Sequence, residues 1–469
     1  MHLKVAGKGF GVCVNGGNTC VGVTDIQWDN PDQAQISGDT HVVGRLWYPT
    51  TAMSSVSKPE GGKAFWLPDR RYAEGYAAVV FSDNGIGPTV GSCKNFAKST
   101  FSNFTWWMGS STQLKVIKDV PLKPAQHPYP VVLFSHGTCA NRNTYSCICT
   151  KLAEEGYVVF SIEHADSTAS AVEMAGDRGW QVYAGETREH VHKEFLRYRM
   201  KECQTARKMV AALSSGTVPP GVQLTVGKGR TSGPEKGPEP GPLLRQSFKG
   251  ALDPDRVALA GHSFGASTVS ALVAEDPGFP CAIALDPAWA LLWADHPALT
   301  AWKTSAPLMI IGSHQWHTPK KDGTLVRSGH LQETVLAAAS RRQLSIEDGK
   351  VEGSAAGGGA VSVVPAGSTH ETFTDALVLF AGKTSWLLKM MGLGSGLNPK
   401  LGLKLTCEEM LAFLKRHIPE AGSSVSTISS SQKVNGLSKQ VATVPLQQEE
   451  DAVYKSILGD KCALFKMRT

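Results

Sequence analysis

Short apolar segments alternate with longer segments of mixed polarity through the middle of the chain, from about residue 128 to residue 364. Continuous apolar runs bounded by turn residues are typical of strands that are buried on both faces of a sheet. Such runs occur at 42–48, 129–135, 157–162, 256–260, 281–285, 307–311 and 361–364. Between two of them, residues 186–214 carry apolar positions at helical spacing. The alternation predicts an α/β fold with a mostly parallel central sheet flanked by helices.

The composition changes outside this alternating pattern. Residues 1–40 are rich in Gly, Asn and Asp, and we expect an irregular N-terminal segment there, with short strands as the alternative. Residues 41–420 are then the α/β domain, interrupted by surface insertions at 215–247 and 318–360. Residues 421–469 form a low-complexity tail that is expected to be disordered.

Ser263 is the candidate nucleophile. It lies between Gly261 and Gly265, after the apolar run at 256–260 and before a run of small residues with helical character. A serine at the apex of a sharp strand-to-helix turn requires small residues two positions away, because larger side chains would collide with neighbouring backbone. The alternative interpretation is an ordinary glycine-rich turn.

A serine nucleophile needs a base and an acid that orients the base. His370 follows the last predicted strand, so its imidazole can reach the carboxyl edge of the sheet. The strand before it, 307–311, is followed by no carboxylate, whereas Asp286 directly follows 281–285. The chain order Ser263, Asp286, His370 is the order found in α/β-hydrolases. Asp295 and Asp322 remain the alternatives for the acid.

The oxyanion of such a site is held by backbone N–H groups. We expect one from Phe264, which follows the nucleophile, and one from Thr138 in the turn after the strand 129–135. The neighbouring His136 and His262 are interpreted as structural. No spacing of His, Cys, Asp and Glu predicts a metal site, and no cofactor is expected.

Residues 94–110 place aromatic side chains and lysines close together, Trp106 and Trp107 among them. They form either an aromatic wall of the core or of a pocket, or a surface that inserts into a lipid interface.

Charge and targeting signals narrow the classes of partner and compartment. The net charge of +6 is small for 469 residues and comes with no dense basic stripe, so nucleic acid is not an expected partner. The ten cysteines are scattered, which favours free thiols in a reducing compartment. No signal peptide or transmembrane run is evident. We expect a cytoplasmic protein, with peripheral membrane association left open. The sequence does not determine the oligomeric state.

The chain resembles the platelet-activating-factor acetylhydrolases, which include lipoprotein-associated phospholipase A2. The resemblance extends from about Trp47 to His417. It is carried by the stretches 132–137, 161–170, 199–203, 261–265, 283–286 and 367–375. In this family the acid also follows the strand after the nucleophile turn, in agreement with Asp286. The insertions, Ala266 and Asp286-Pro287 are departures from the family pattern.

The resemblance implies an α/β-hydrolase fold and calcium-independent hydrolysis of the sn-2 ester of phospholipids that carry short or oxidised acyl chains. It also implies an interfacial surface, for which the aromatic region containing Trp106 and Trp107 is the candidate, and an acyl pocket lined by Trp289. Two other functions stay open: a general carboxylesterase that acts on soluble short-chain esters, and a non-catalytic lipid-binding homologue.

Overall fold

A computed structural model describes residues 20–30, 41–52, 61–81, 94–176, 178–183, 189–227, 242–325, 329–340, 346–347, 350–351, 360–379 and 396–419. Its strands are β1 (Cys20–Asp29), β2 (Val42–Thr50), β3 (Gly62–Phe65), β4 (Gln113–Lys118), β5 (Tyr129–Ser135), β6 (Val158–Glu163), β7 (Ala171–Glu173), β8 (Trp180–Val182), β9 (Gln223–Val226), β10 (Leu252–His262), β11 (Ala282–Leu285), β12 (Leu308–Ile311), β13 (Ile346–Glu347), β14 (Lys350–Val351) and β15 (Ala360–Val363). Its α-helices are α1 (Arg70–Val80), α2 (Lys94–Ser111), α3 (Ser146–Glu154), α4 (Glu189–Ser215), α5 (Pro242–Ser247), α6 (Phe264–Glu275), α7 (His314–His317), α8 (Leu331–Ser340), α9 (Ala376–Leu379) and α10 (Pro399–His417).

The described residues form a central sheet of eleven strands. Its order is β15-β12-β11-β10-β5-β6-β2-β1-β4-β3, with β9 paired to β1. The strands from β15 to β6 in this order run parallel. Strand β2 is antiparallel to β6 and to β1. This arrangement confirms the predicted fold, and it gathers the turns after β5, β10, β11 and β15 at one edge of the sheet.

The two faces of the sheet bury separate hydrophobic cores. Helices α4 and α6 contribute Met209 and Leu272 to the core on one face, and β10 adds Leu259. Helices α3 and α10 cover the other face, where β10 contributes Ala258 and Ala260. Successive side chains of a strand point to opposite faces, so β10 supplies both cores and is held between them. None of the described helices combines the length and the apolar character needed to cross a membrane.

The expectation that residues 1–40 are irregular needs correction, because Cys20–Asp29 is a strand of the central sheet. Strand β1 pairs with β2 over nine residues. The buried Asp25 interrupts its apolar run, and Arg45 and Lys118 bind that carboxylate at 2.7 and 3.1 Å. Burial opposes ionisation, but Arg142, Arg45 and Lys118 together hold the pKa of Asp25 well below its ordinary value. A charged residue in the middle of the segment breaks its apolar pattern, and the sequence does not show that this residue is buried in an ion pair. For this reason the hydrophobic pattern did not predict the strand.

The two predicted insertions are also partly integrated into the fold. In the stretch 215–247, β9 adds to the sheet beside β1, and α5 precedes β10. In the stretch 318–360, α8 buries Val335 and Ala338 in the same core as α4. The predicted tail at 421–469 lies outside the described residues.

Candidate active site

Ser263 lies on a strained turn between β10 and α6. Its backbone has φ 57° and ψ −114°, a conformation that residues other than glycine rarely adopt. A Cβ atom on Gly261 would lie 2.4 Å from the carbonyl oxygen of Gly265. A Cβ atom on Gly265 would lie 2.0 Å from the carbonyl oxygen of Ser135. Both glycines are therefore required by close backbone approach, as the sequence pattern predicted.

Asp286 and His370 lie next to each other at the C-terminal ends of the parallel strands. The Nδ1 of His370 lies 2.7 Å from the Oδ2 of Asp286. Because the carboxylate accepts, Nδ1 carries the hydrogen and Nε2 is left with a lone pair for a proton. Asp286 is fully buried, and its second oxygen accepts a hydrogen bond of 2.7 Å from the N–H of Ser313. These contacts fix the orientation of the carboxylate.

The segment after β12, noted in the sequence only for its missing carboxylate, supports His370 directly. The side-chain oxygen of Gln315 accepts a hydrogen bond of 3.0 Å from the N–H of His370. The ring of Trp316 stacks on the imidazole, with centroids 3.9 Å apart and planes 13° from parallel. Sequence reasoning missed both residues, because no motif marks a side chain that packs beside a histidine.

His262, which precedes the nucleophile, connects two loops of the site. The hydroxyl of Tyr145 accepts from the N–H of Gly137 at 3.0 Å and lies 2.9 Å from the Nδ1 of His262. The Nε2 of His262 donates to the carbonyl of His370 at 3.1 Å. Burial is the main cause that holds the pKa of His262 well below its ordinary value, and the nearby His370 lowers this pKa further. A neutral His262 thus links the turn after β5 to the loop that carries His370, consistent with its predicted structural role.

Phe264 and Thr138 lie on the two turns expected to form the oxyanion hole. Phe264 is the first residue of α6, where amides point out of the helix N-terminus. Thr138 lies in the turn after β5, and its side chain is exposed. The preceding His136 is buried and donates from Nδ1 to the carbonyl of Gly137 at 2.7 Å. Burial, with a contribution from Arg199, lowers the pKa of His136 to about 3, so its imidazole is neutral.

The remaining candidate residues from the sequence analysis differ in their location and exposure. Trp289 is 1% exposed and packs in the core with α4 and α6, so its assignment to an acyl pocket stays a prediction. On α2, Trp106 packs against the core of the opposite face, whereas Trp107 is 63% exposed. Asp295 and Asp322, the alternative acids, are both exposed, and Asp322 bonds Thr324. The described residues contain no group of three His, Cys, Asp or Glu side chains arranged to hold a metal.

Several known proteins are similar to this chain. A family model described as platelet-activating factor acetylhydrolase, isoform II, matches residues 9–425. The platelet-activating factor acetylhydrolase of Bos taurus is 25% identical over 418 residues, which cover 86% of this chain and 76% of that one. The Gallus gallus protein of the same name is 23% identical over 437 residues, covering 88% and 85%.

A more distant relative and a solved structure extend the comparison. A putative phospholipase A2 of Schizosaccharomyces pombe is 28% identical over 188 residues, covering 35% of this chain and 41% of that one. The structure of a ferulic acid esterase from Streptomyces cinnamoneus superposes with a TM-score of 0.52 at 17% identity, covering 87% and 92%. This last likeness shows the fold.

The fold, the strained serine turn and these relatives define the class of the protein, an ester-hydrolysing serine hydrolase with the α/β-hydrolase fold. Within that class, the chain belongs to the platelet-activating factor acetylhydrolase family, whose model matches most of its length. The family resemblance drawn from the sequence motifs is thereby confirmed.

Proposed function

We propose that the protein hydrolyses the sn-2 ester of phospholipids that carry an acetyl, short or oxidised acyl chain, and that it does so without calcium. Ser263 Oγ attacks the ester carbonyl while His370 Nε2 takes its proton. The amides of Phe264 and Thr138 hold the oxyanion. His370 returns the proton to the departing lysophospholipid oxygen. Water, deprotonated by His370, then attacks the acyl-serine, and His370 returns this proton to Ser263 Oγ as the bond to the acyl group breaks and the acid leaves.

The hydrogen bond between Asp286 and His370 is the observation that carries this proposal. It joins two residues 84 positions apart in the chain, and it sets the tautomer that leaves Nε2 able to accept a proton. The carboxylate is fully buried, so its charge faces the imidazole in a site of low dielectric constant. A non-catalytic lipid-binding protein would not need this arrangement.

The phospholipid part of the proposal is supported by the named relatives. The cow and chicken proteins are platelet-activating factor acetylhydrolases, and the fission yeast protein is named a putative phospholipase A2. A carboxylesterase acting on soluble esters would use the same acid–base residues, so the substrate must be tested separately from the mechanism.

The test is a panel of 1-alkyl-2-acyl-glycerophosphocholines with sn-2 chains from acetyl to palmitoyl, beside p-nitrophenyl acetate, all measured both in excess EGTA and with added calcium. We expect turnover that falls as the sn-2 chain lengthens, and loss of at least about 10⁴-fold in kcat in Ser263→Ala. Retained hydrolysis in Ser263→Ala would contradict the mechanism. Turnover of the soluble ester alone would favour the carboxylesterase, and dependence on calcium would refute the calcium-independent part.

We further propose that α2 contacts the lipid aggregate. Phe96 and Trp107 are 77% and 63% exposed, although large aromatic side chains are usually covered. They are eleven residues apart, which places them on one side of the helix about 16 Å from each other. The opposite side of α2 buries Ser102, Thr105 and Gly109 against the protein. The exposed side thus carries two aromatic side chains, with the exposed polar residues Ser99, Thr100 and Asn103 between them. Exposed aromatic side chains of this kind are favoured at a lipid interface.

Replacing both aromatic residues tests this assignment. In Phe96→Ala/Trp107→Ala, activity on vesicles is expected to fall several-fold, while kcat/KM for monomeric p-nitrophenyl acetate stays unchanged. The matched control is Leu243→Ala, which removes another exposed apolar side chain, 70% exposed, from α5. Equal losses of activity on both substrates would show that these two side chains stabilise the fold and do not contact the lipid.

A further inference from the structure

Two sequence stretches that carry the family resemblance, 161–170 and 199–203, contain none of the proposed catalytic residues. The structure brings them together, and Arg199 lies against the ring of Phe264, the residue after the nucleophile. Arg199 and Glu202 lie one turn apart on α4 and are both fully buried. Glu202 bonds the Nδ1 of His164 at 2.5 Å, and His164 in turn bonds Ser135 at the end of β5. A buried polar cluster therefore lies between α4 and the turn that carries Thr138.

Arg199 contacts three parts of the oxyanion region at once. Its Nη1 donates to the carbonyl of His136 at 2.5 Å. Its Nε and Nη2 bond Asp166 Oδ2 and Thr168 Oγ1 at 2.7 and 2.5 Å. The guanidinium carbon also lies 4.3 Å from the ring centroid of Phe264. One side chain thus touches residues on both turns that are proposed to supply oxyanion donors.

Hydrogen bonds fix the two successive peptide planes on the N-terminal side of Thr138. The peptide unit between His136 and Gly137 is held at its carbonyl by Arg199 and at its N–H by Tyr145. The carbonyl of the next unit accepts from the His136 ring. The N–H of that same planar unit is the N–H of Thr138, which points away from the bonded carbonyl.

The residue after Thr138 is fixed as well. The N–H of Cys139 donates to the carbonyl of Thr168 at 2.7 Å, and Thr168 is itself bonded to Arg199. Cys139 has φ 66°, a left-handed conformation that is costly without such support. Within the described part of the chain, no carbonyl or side chain accepts a hydrogen bond from Thr138 N–H. The Thr138 amide is thus held in place on both sides and remains available to a ligand.

The stability of the fold alone does not explain why a charged guanidinium is buried at this position. Taking a charged pair out of water is costly, and a well-packed apolar substitute is often as stable. A planar guanidinium, however, offers several donors in fixed directions, which neither lysine nor an apolar residue can reproduce. The geometry of Arg199 therefore fits a role in holding backbone groups at set positions.

We propose that Arg199 is a positioning residue for the oxyanion hole: it holds the Thr138 turn through His136 and Thr168, and the Phe264 turn through ring stacking. This inference rests on the proposed function. An oxyanion donor is worth about 10²- to 10³-fold in kcat, and a small misplacement forfeits part of that gain. The cost of losing Arg199 should therefore appear in the chemical step and not in substrate binding.

The experiment compares Arg199→Lys with Arg45→Lys as the matched control. Arg45 is also fully buried and paired with a carboxylate, but it lies on β2 and its partner is Asp25 of β1. Active sites are counted by fluorophosphonate titration, so that kcat refers to folded enzyme only. The readouts are kcat and KM for p-nitrophenyl acetate and the Ki of a trifluoromethyl ketone, which forms a tetrahedral oxyanion on the serine. Thermal melting is followed in parallel.

For Arg199→Lys we expect kcat per titrated site to fall about 10- to 100-fold, KM to stay within about twofold, and the ketone Ki to rise in step with the loss of kcat. For Arg45→Lys we expect a lower melting temperature with kcat per site unchanged. Thr168→Val is the second variant if Arg199→Lys yields no folded enzyme, and a smaller loss of the same pattern is expected.

An unchanged kcat per site in Arg199→Lys, or a loss confined to KM, would overturn the proposal and leave Arg199 as part of the core. Failure of the proposed function is seen separately, as absence of ester turnover by the unaltered enzyme. In that case the rate of fluorophosphonate labelling of Ser263, which also needs oxyanion stabilisation, decides the role of Arg199. We then expect slower labelling of Arg199→Lys, and equal rates would refute the role.

Discussion

The two sides of Ser263 are held in different ways. On the acid–base side, His370 bonds Asp286 and packs on Trp316, and its side chain is 20% exposed. On the oxyanion side, the turn after β5 is anchored by a buried cluster that includes Arg199. In the proposed mechanism the first side uses side chains that act chemically, whereas the second uses side chains that only direct backbone amides. Substitutions on the two sides should therefore have different kinetic signatures.

The largest effect in this comparison is expected for Asp286→Asn. The amide would favour the wrong tautomer of His370 and give no charge to the imidazolium, so kcat should fall about 10³- to 10⁴-fold. Steady-state kinetics on a short-chain ester measure the loss. Asp295→Asn and Asp322→Asn are the matched controls, because both carboxylates are exposed. A large loss in either control, with Asp286→Asn active, would reassign the acid.

On the oxyanion side, the paired variants Thr138→Ala and Thr138→Pro separate side chain from backbone. Proline has no N–H, so Thr138→Pro should lose about 10²- to 10³-fold in kcat. Thr138→Ala keeps the amide and removes a side chain that is exposed, so its kcat should stay within about twofold. Circular dichroism is the control that checks whether the proline variant is folded. Similar kcat values for the two variants would exclude Thr138 as a donor.

A smaller effect is expected for Trp316→Leu on the acid–base side. Without the stacked ring, the His370 imidazole is less constrained, and kcat should fall about tenfold. Trp316→Phe keeps a flat wall beside the imidazole and should retain most of the activity. If both variants behave like the unaltered enzyme, Trp316 serves the fold and not the orientation of His370.

The sequence predicted that Asp286 and His370 act together, and the structure joins them by a hydrogen bond, while their catalytic roles stay a prediction. Asp286 and His370 could be found from their places after apolar strands and from the order of the three residues. Arg199 could be noticed only as part of a family stretch, since its role is to bond a carbonyl at His136, which no pattern of residue types shows. Strand β1 was missed for a related reason, because its buried Asp25 is neutralised by partners distant in the chain.

Reaction with a fluorophosphonate probe, followed by mass spectrometry of the labelled peptide, tests the central claim most directly. The probe modifies the serine that a neighbouring base activates, and it does not depend on knowing the natural lipid. We predict a single adduct on Ser263, and no adduct in Ser263→Ala. An adduct on any other residue, or no reaction in the folded protein, would contradict the assignment of Ser263 as the nucleophile.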